Sequence, residues 1–247
     1  MGQWNTLHII DEKKLREIIP LLKGDTNFVK KYVEKCKYRI FREPTEEKLN
    51  SLIKEIISIA NKLTDDFRVL PELKGDLNSA DIRSIYYSLE IENFRIIFHT
   101  IVFSICALPF PYFKLGYRLI GIYLKYTNEN TISEQIIDSI QYYNKTGAIF
   151  PGESGIRNWI NSTEVETLNS NLDEILPNLK SDEYRSHNSY AKLYTKEIKE
   201  FISIAAKNNF GLISCLDPEL SELKSKQPIG LNINWKTTSL KENIIYK

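Results

Sequence analysis

The run from Phe94 to Phe113, FRIIFHTIVFSICALPFPYF, constrains this chain more than any other stretch: across the 18 residues from Ile96 to Phe113 no side chain carries a formal charge. That length meets the threshold for a membrane-spanning helix. Three features argue against one: His99 lies inside the run, Pro109 and Pro111 end its helical part early, and no basic flank marks an orientation. From Ile96 to Leu108 a helix measures only about 20 Å at roughly 1.5 Å per residue, against a hydrocarbon core of about 30 Å. The run is therefore expected at the centre of a water-soluble core. Pro109 disfavours helical geometry at Leu108, so the helix is predicted to end there. Upstream, Asn78 or Ser79 can cap it, with Ile82, Ile85, Tyr86 and Leu89 at helical spacing. One helix from Ser79 to Leu108, or two meeting near Glu90, fit equally.

A polar stripe marks this segment. At 100° per residue Ser88, Glu92, Arg95, His99 and Cys106 project within about 60° of one another. The simplest account is an outer face, with Glu92 and Arg95 an i, i+3 pair, because charged side chains are seldom buried unless paired. The alternative is a buried polar network or a lined cleft. A histidine beside a carboxylate and a guanidinium can do acid–base work where it meets substrate, so Glu92, Arg95 and His99 are the candidate binding residues.

The flanking segments supply the wrapping. Trp4–Ile10 reads as a strand, and Asp11 caps a helix whose apolar face is Leu15, Ile18, Ile19 and Leu22, closed by Gly24. Residues 27–42 form a second helix bearing Lys30, Lys31, Lys35, Lys37, Arg39 and Arg42, interleaved with Tyr32 and Tyr38. Basic residues with aromatics can bind single-stranded nucleic acid. Glu34 interrupts the run and the net charge of the chain is only +1, so a solvated helix face is the better account. Pro44 and Thr45 open a third helix with Leu49, Leu52, Ile53, Ile56, Ile57, Ala60 and Leu63 on one side. Further helices are expected over 111–126, 131–143, 163–176 and 182–207. Residues 146–159, TGAIFPGESGIRNW, read as the principal irregular loop, either a subdomain edge near 147–156 or a binding loop. Gly211–Leu216 and Ile229–Trp235 read as strands. No internal repeat stands out.

These elements predict an α+β fold, mainly α-helical. A multi-helix core surrounds the central run, and a small antiparallel sheet joins the N-terminal and C-terminal segments in a single compact domain over residues 1–247. With 33 basic and 32 acidic residues the chain has no global field that would draw nucleic acid or an anionic membrane. Cys36, Cys106 and Cys215 are odd in number and widely spaced, which fits a reduced cytoplasm. The N-terminus has no signal-peptide pattern; Gly2 and Thr6 match a myristoylation pattern that matters only in a eukaryotic cell.

Chemistry-bearing motifs are sparse. His99 and Cys106 lie about 10 Å apart along a helix axis, beyond nucleophile–base reach. His8, His99 and His187 show no metal-ligand spacing, and PGESG fits neither a nucleophile elbow nor a phosphate loop. Glu197–Ile198–Lys199 mimics the end of a nuclease motif but lies in a helix, where a solvated face is expected. No catalytic residue, cofactor or metal is assigned.

The opening, MGQWNTLHIIDEKKLREIIPLLKGD, resembles orphan immunity proteins of bacterial polymorphic toxin systems. There a short N-terminal strand and a capped helix begin a compact soluble domain. The resemblance covers the first 25 residues and implies a cytoplasmic, non-catalytic binding module with a toxin as its protein partner. It carries no functional residues over. An immunity role predicts an exposed patch of one charge sign, or an aromatic cluster, on one face.

Overall fold

Asp11 is the hinge between the first two elements. A computed structural model describes residues 5–62, 89–107, 113–115, 155–175 and 190–216. Strand β1 (Asn5–Ile10) runs into Asp11, whose carboxylate accepts the Lys14 amide at 3.2 Å and so starts α1 (Glu12–Gly24). Leu15, Ile18, Ile19 and Leu22 are buried, as their spacing predicts. Asp25 serves two helices. Its amide donates to Leu21 O at 2.8 Å, and its carboxylate accepts the Phe28 amide at 3.0 Å to begin α2 (Thr26–Ile40). Helix α2 buries Val29, Tyr32, Val33 and Cys36. Thr45 Oγ1 accepts the Lys48 amide at 3.3 Å and opens α3 (Glu46–Lys62), which buries Leu52, Ile53, Ile56, Ile59 and Ala60. Leu49 and Ile57 are only partly buried against that core.

Helix α4 (Leu89–Ile105) is the one the others surround, touching α1, α2 and α3. Phe94, Ile97, Phe98, Ile101 and Val102 are buried in it, and the Phe94 and Phe98 rings stack at 6.0 Å. Among the described residues no helix is long and apolar enough to cross a membrane. The helix stops at Ile105, three residues short of the predicted end. Strand β1 takes the chain there: Asp11 N donates to Cys106 O at 2.8 Å, and Ala107 forms an antiparallel bridge with Ile10. Residues 79–88 lie outside the described set, and with them the choice between one helix and two.

The remaining elements are β2 (Phe113–Leu115), β3 (Gly155–Ile160), α5 (Ser162–Ile175), α6 (Tyr190–Lys207) and β4 (Gly211–Leu216). The sheet order is β2-β1-β4-β3 with every neighbouring pair antiparallel. Pairing of β1 with β4, from Asn5↔Leu216 to Ile10↔Gly211, is the predicted joining of early and late segments. Both edges correct the sequence reading. Gly155–Ile160, expected in a loop, is a strand because β4 supplies a partner; Phe113–Leu115, expected in an aromatic helix, pairs with β1. The rest of the helix expected over 111–126, the helix expected over 131–143, the stretch 146–154 and the strand at 229–235 lie outside the described residues.

Side-chain alternation separates two layers. Ile10, Ile213, Cys215, Ile156 and Trp159 join the core built by α1–α4. Leu7, Ile9 and Leu212 fall on the opposite face by the period of two, and are buried there. Helices α5 and α6 contact β4 and each other, with Val165, Leu168, Leu172, Phe201, Ile202 and Ala205 buried. Helix α6 ends through Asn209, whose φ of 54° is left-handed, a conformation asparagine tolerates. At Gly211 a Cβ would stand 2.7 Å from Ile160 O, so only glycine lets β3 lie that close.

The architecture is α+β, mainly helical, with a small antiparallel sheet. It also reveals a short echo that the sequence hides. Each of β1 and β3 is a six-residue strand ending in isoleucine, followed by Asp11 or Asn161 as a cap. Buried Leu15, Ile18 and Leu22 then correspond to Val165, Leu168 and Leu172 at the same spacing. The side chains differ so much that only the structure brings the parallel out.

Candidate functional site

Four polar groupings compete for a functional role. The first is the stripe on α4. Arg95 and His99 are buried at 9% and 3% exposure, and Cys106 is fully buried, so the outer-face account is corrected. Only Glu92 reaches solvent well; it pairs with Arg95, whose side chain is 11% exposed. His99 packs on the Phe103 ring at 4.7 Å, and His8 of β1 meets the same ring edge-on at 5.0 Å. From Arg95 to Cys106 the stripe is therefore internal, and His99 shares the Phe103 ring with His8 of β1. Ser88 lies outside the described residues.

The second grouping surrounds an open cleft of about 510 Å³ lined by Glu12, Lys13, Arg16, Glu17, Ser162 and Asn209. Its charges are cross-linked. Glu12 Oε2 accepts the Ser162 amide at 2.7 Å, Oε1 accepts Arg16 Nε at 2.8 Å, and the Arg16 guanidinium sits 5.4 Å from the Trp159 ring centre. Burial pushes the Glu12 carboxyl up most strongly, but Ser162 and Arg16 together outweigh it and hold it below its ordinary 4.5. Asn161 and Glu164 close a reciprocal capping box at 2.9 and 2.8 Å. Glu12 thus staples the first strand–helix unit to the second.

The third is Lys199, expected on a solvated face and found instead with a side chain only 14% exposed. Its ammonium donates to the backbone oxygen of Asn169, to Asn169 Oδ1 at 2.8 Å and to Asp173 Oδ2 at 2.8 Å. Ser203 Oγ donates to Asn169 Oδ1 at 2.7 Å. Three acceptors use all three ammonium protons, which makes Lys199 a clamp between α5 and α6. The cysteines are buried too; burial, and after it the nearby Asp11 charge, raises the Cys106 thiol to about 12, far from nucleophilic use. Among the described residues no three His, Cys, Asp or Glu side chains converge as a metal site.

The outer face of α2 differs from all of these. At 100° per residue Lys31, Lys35 and Tyr38 form one line opposite the buried Val29–Cys36 face, and all three are exposed, Tyr38 by 76%; Arg42, also exposed, lies past the extended C-cap Phe41. Lys30 stands beside that line. Residues 26–42 hold six cations against the single acid Glu34, a net of +5 in a chain of +1. Glu34 is engaged by Lys37 at 3.1 Å, and Lys35 reaches the Ser104 hydroxyl of α4 at 3.1 Å. Among the described residues no carboxylate pairs with Lys30, Lys31, Lys35 or Arg42.

Helix stability explains only part of this arrangement. Lys37 and Arg39 lie in the last turn, where cations favour the macrodipole. Lys30 and Lys31 lie in the first half, where cations gain nothing from it. Lys31 and Lys35, four apart, repel at a cost of about 0.2–0.5 kcal/mol. No family model, curated protein or solved structure matches the chain.

Proposed function

We propose that this chain is a non-catalytic protein-binding module, a cytoplasmic bacterial immunity protein that neutralises a toxin. The carrying observation is the exposed, mainly basic face of α2 with Tyr38 in its midst, the kind of surface that such a role predicts. The strand-cap-helix opening supports the same reading through its resemblance to immunity proteins. A catalytic or ligand-binding role for Glu92, Arg95 and His99 gains no such support, because His99 lies packed against Phe103 inside the core.

Co-expression with toxins encoded by neighbouring genes tests the reading. A cognate toxin should co-purify with the chain, and cells making both should survive. Death with every neighbouring toxin refutes the immunity role.

A further inference from the structure

The α2 face also indicates what kind of partner it fits. We propose that Lys31, Lys35, Tyr38 and Arg42 form the docking stripe for an acidic surface on a partner protein, with Tyr38 as the apolar anchor and the three cations as its charged surround. The inference deepens the protein-binding reading and rests on it.

Three observations point this way. Lys31, Lys35 and Tyr38 recur at i, i+4 and i+7, a straight ridge of about 10 Å at roughly 1.5 Å per residue, and Arg42 follows just past the C-cap Phe41. That span suits one helix or strand edge of a partner. Among the described residues no carboxylate pairs with these three cations. Tyr38 is held at 76% exposure with Lys37 Nζ 5.2 Å from its ring centre, so a large amphipathic ring stands in water beside a cation. Tyrosine and arginine are the side chains that dominate binding energy in protein interfaces.

A nucleic acid is the competing acidic ligand, and the geometry favours it less. A single-strand track needs successive aromatic platforms. Here Tyr32 is turned into the core at 4% exposure, which leaves Tyr38 as the one exposed ring on α2.

The test uses the full chain and three labelled probes: a helical peptide with glutamates four apart, its glutamine counterpart, and a single-stranded oligonucleotide of equal charge. Fluorescence anisotropy at low and at moderate salt reads the affinities. The acidic peptide should bind most tightly and weaken with salt. Lys31→Glu with Arg42→Glu should weaken it at least tenfold, and Tyr38→Ala about threefold. Lys54→Glu, a comparable charge reversal on the exposed side of α3, should leave it within twofold. Thermal melts of these surface variants should match the parent chain, which excludes unfolding as the cause. Equal binding by the double variant, tighter binding of the oligonucleotide, or no binding of the acidic peptide overturns the proposal. Because no toxin enters the assay, the stripe can fail while co-purification with a toxin still supports the immunity reading, and the reverse also holds.

Discussion

Helices α2 and α4 pack against each other yet treat charge in opposite ways. Between Glu92 and Ala107 only Ser104 is well exposed, so α4 has neighbours almost all round and its Arg95 and His99 are drawn inside. Helix α2 buries one side and sends Lys30, Lys31, Lys35 and Tyr38 to water. The same residue types thus carry two meanings. On an enclosed helix a polar side chain is internal wiring, costly to disturb; on a half-open helix it stays in water at little cost.

Mutational energies can break or sharpen this contrast. The largest effect is expected at Phe98, where alanine should lower stability by about 3–5 kcal/mol in urea unfolding. A loss below about 1 kcal/mol would mean that α4 is not enclosed. Arg95→Leu should cost about 1–3 kcal/mol, because it removes a largely buried hydrogen-bonding cation. Glu92→Gln should cost less than about 1 kcal/mol, since that carboxylate is half in water. Equal losses at the two positions would return the stripe to the surface.

Glu12 extends the comparison to a charge paired across elements. Its folded pKa lies below 4.5, so its stabilisation is present above that value and is lost as pH falls through the folded one. Glu12→Gln should therefore cost about 1–2 kcal/mol at neutral pH. The deficit against the parent should shrink in urea titrations run progressively below pH 4.5. A deficit independent of pH would show that shape, not charge, makes the staple. The smallest effect belongs to α2: Lys31→Glu should change stability by no more than about 0.5 kcal/mol. A large loss there would make the stripe structural and remove its freedom to bind.

The contrast also explains what could be read in advance. Helices α1 and α3 each bury one side, so their apolar spacing gives all the buried residues of α1 and most of those of α3. On α3 Ile59 is missed, and Leu49 and Ile57 are only partly buried. For α2 the basic residues draw the eye, and the buried Val29, Tyr32, Val33 and Cys36 go unread. On α4 the apolar positions are found but not the fate of the polar ones, because a helical projection does not say how many neighbours a helix has. The β1–β4 pairing is legible as two apolar stretches of matching length. Strand β2 is three residues long and too short to show a period. The α4 terminus is set by a distant contact, Asp11 with Cys106, which no local proline rule contains. For function, the cations of α2 are plain in the sequence, but their exposure, and the absence of a carboxylate partner for Lys31 and Lys35 among the described residues, show only in the folded chain.

Strand β3 hides itself by a different route. Its register runs Gly155↔Leu216, Ile156↔Cys215, then Asn158↔Ser214 and Trp159↔Ile213, passing over Arg157. That one surplus residue lets Ile156 and Trp159, an odd number apart, enter the same layer. A strand with unbroken alternation can slide two places along its neighbour and still look correct to the core. This one cannot, because the surplus residue works like the notch on a key, accepted at a single depth. Excising Arg157 should leave a chain in which either the isoleucine or the indole must turn its back on the layer it now completes.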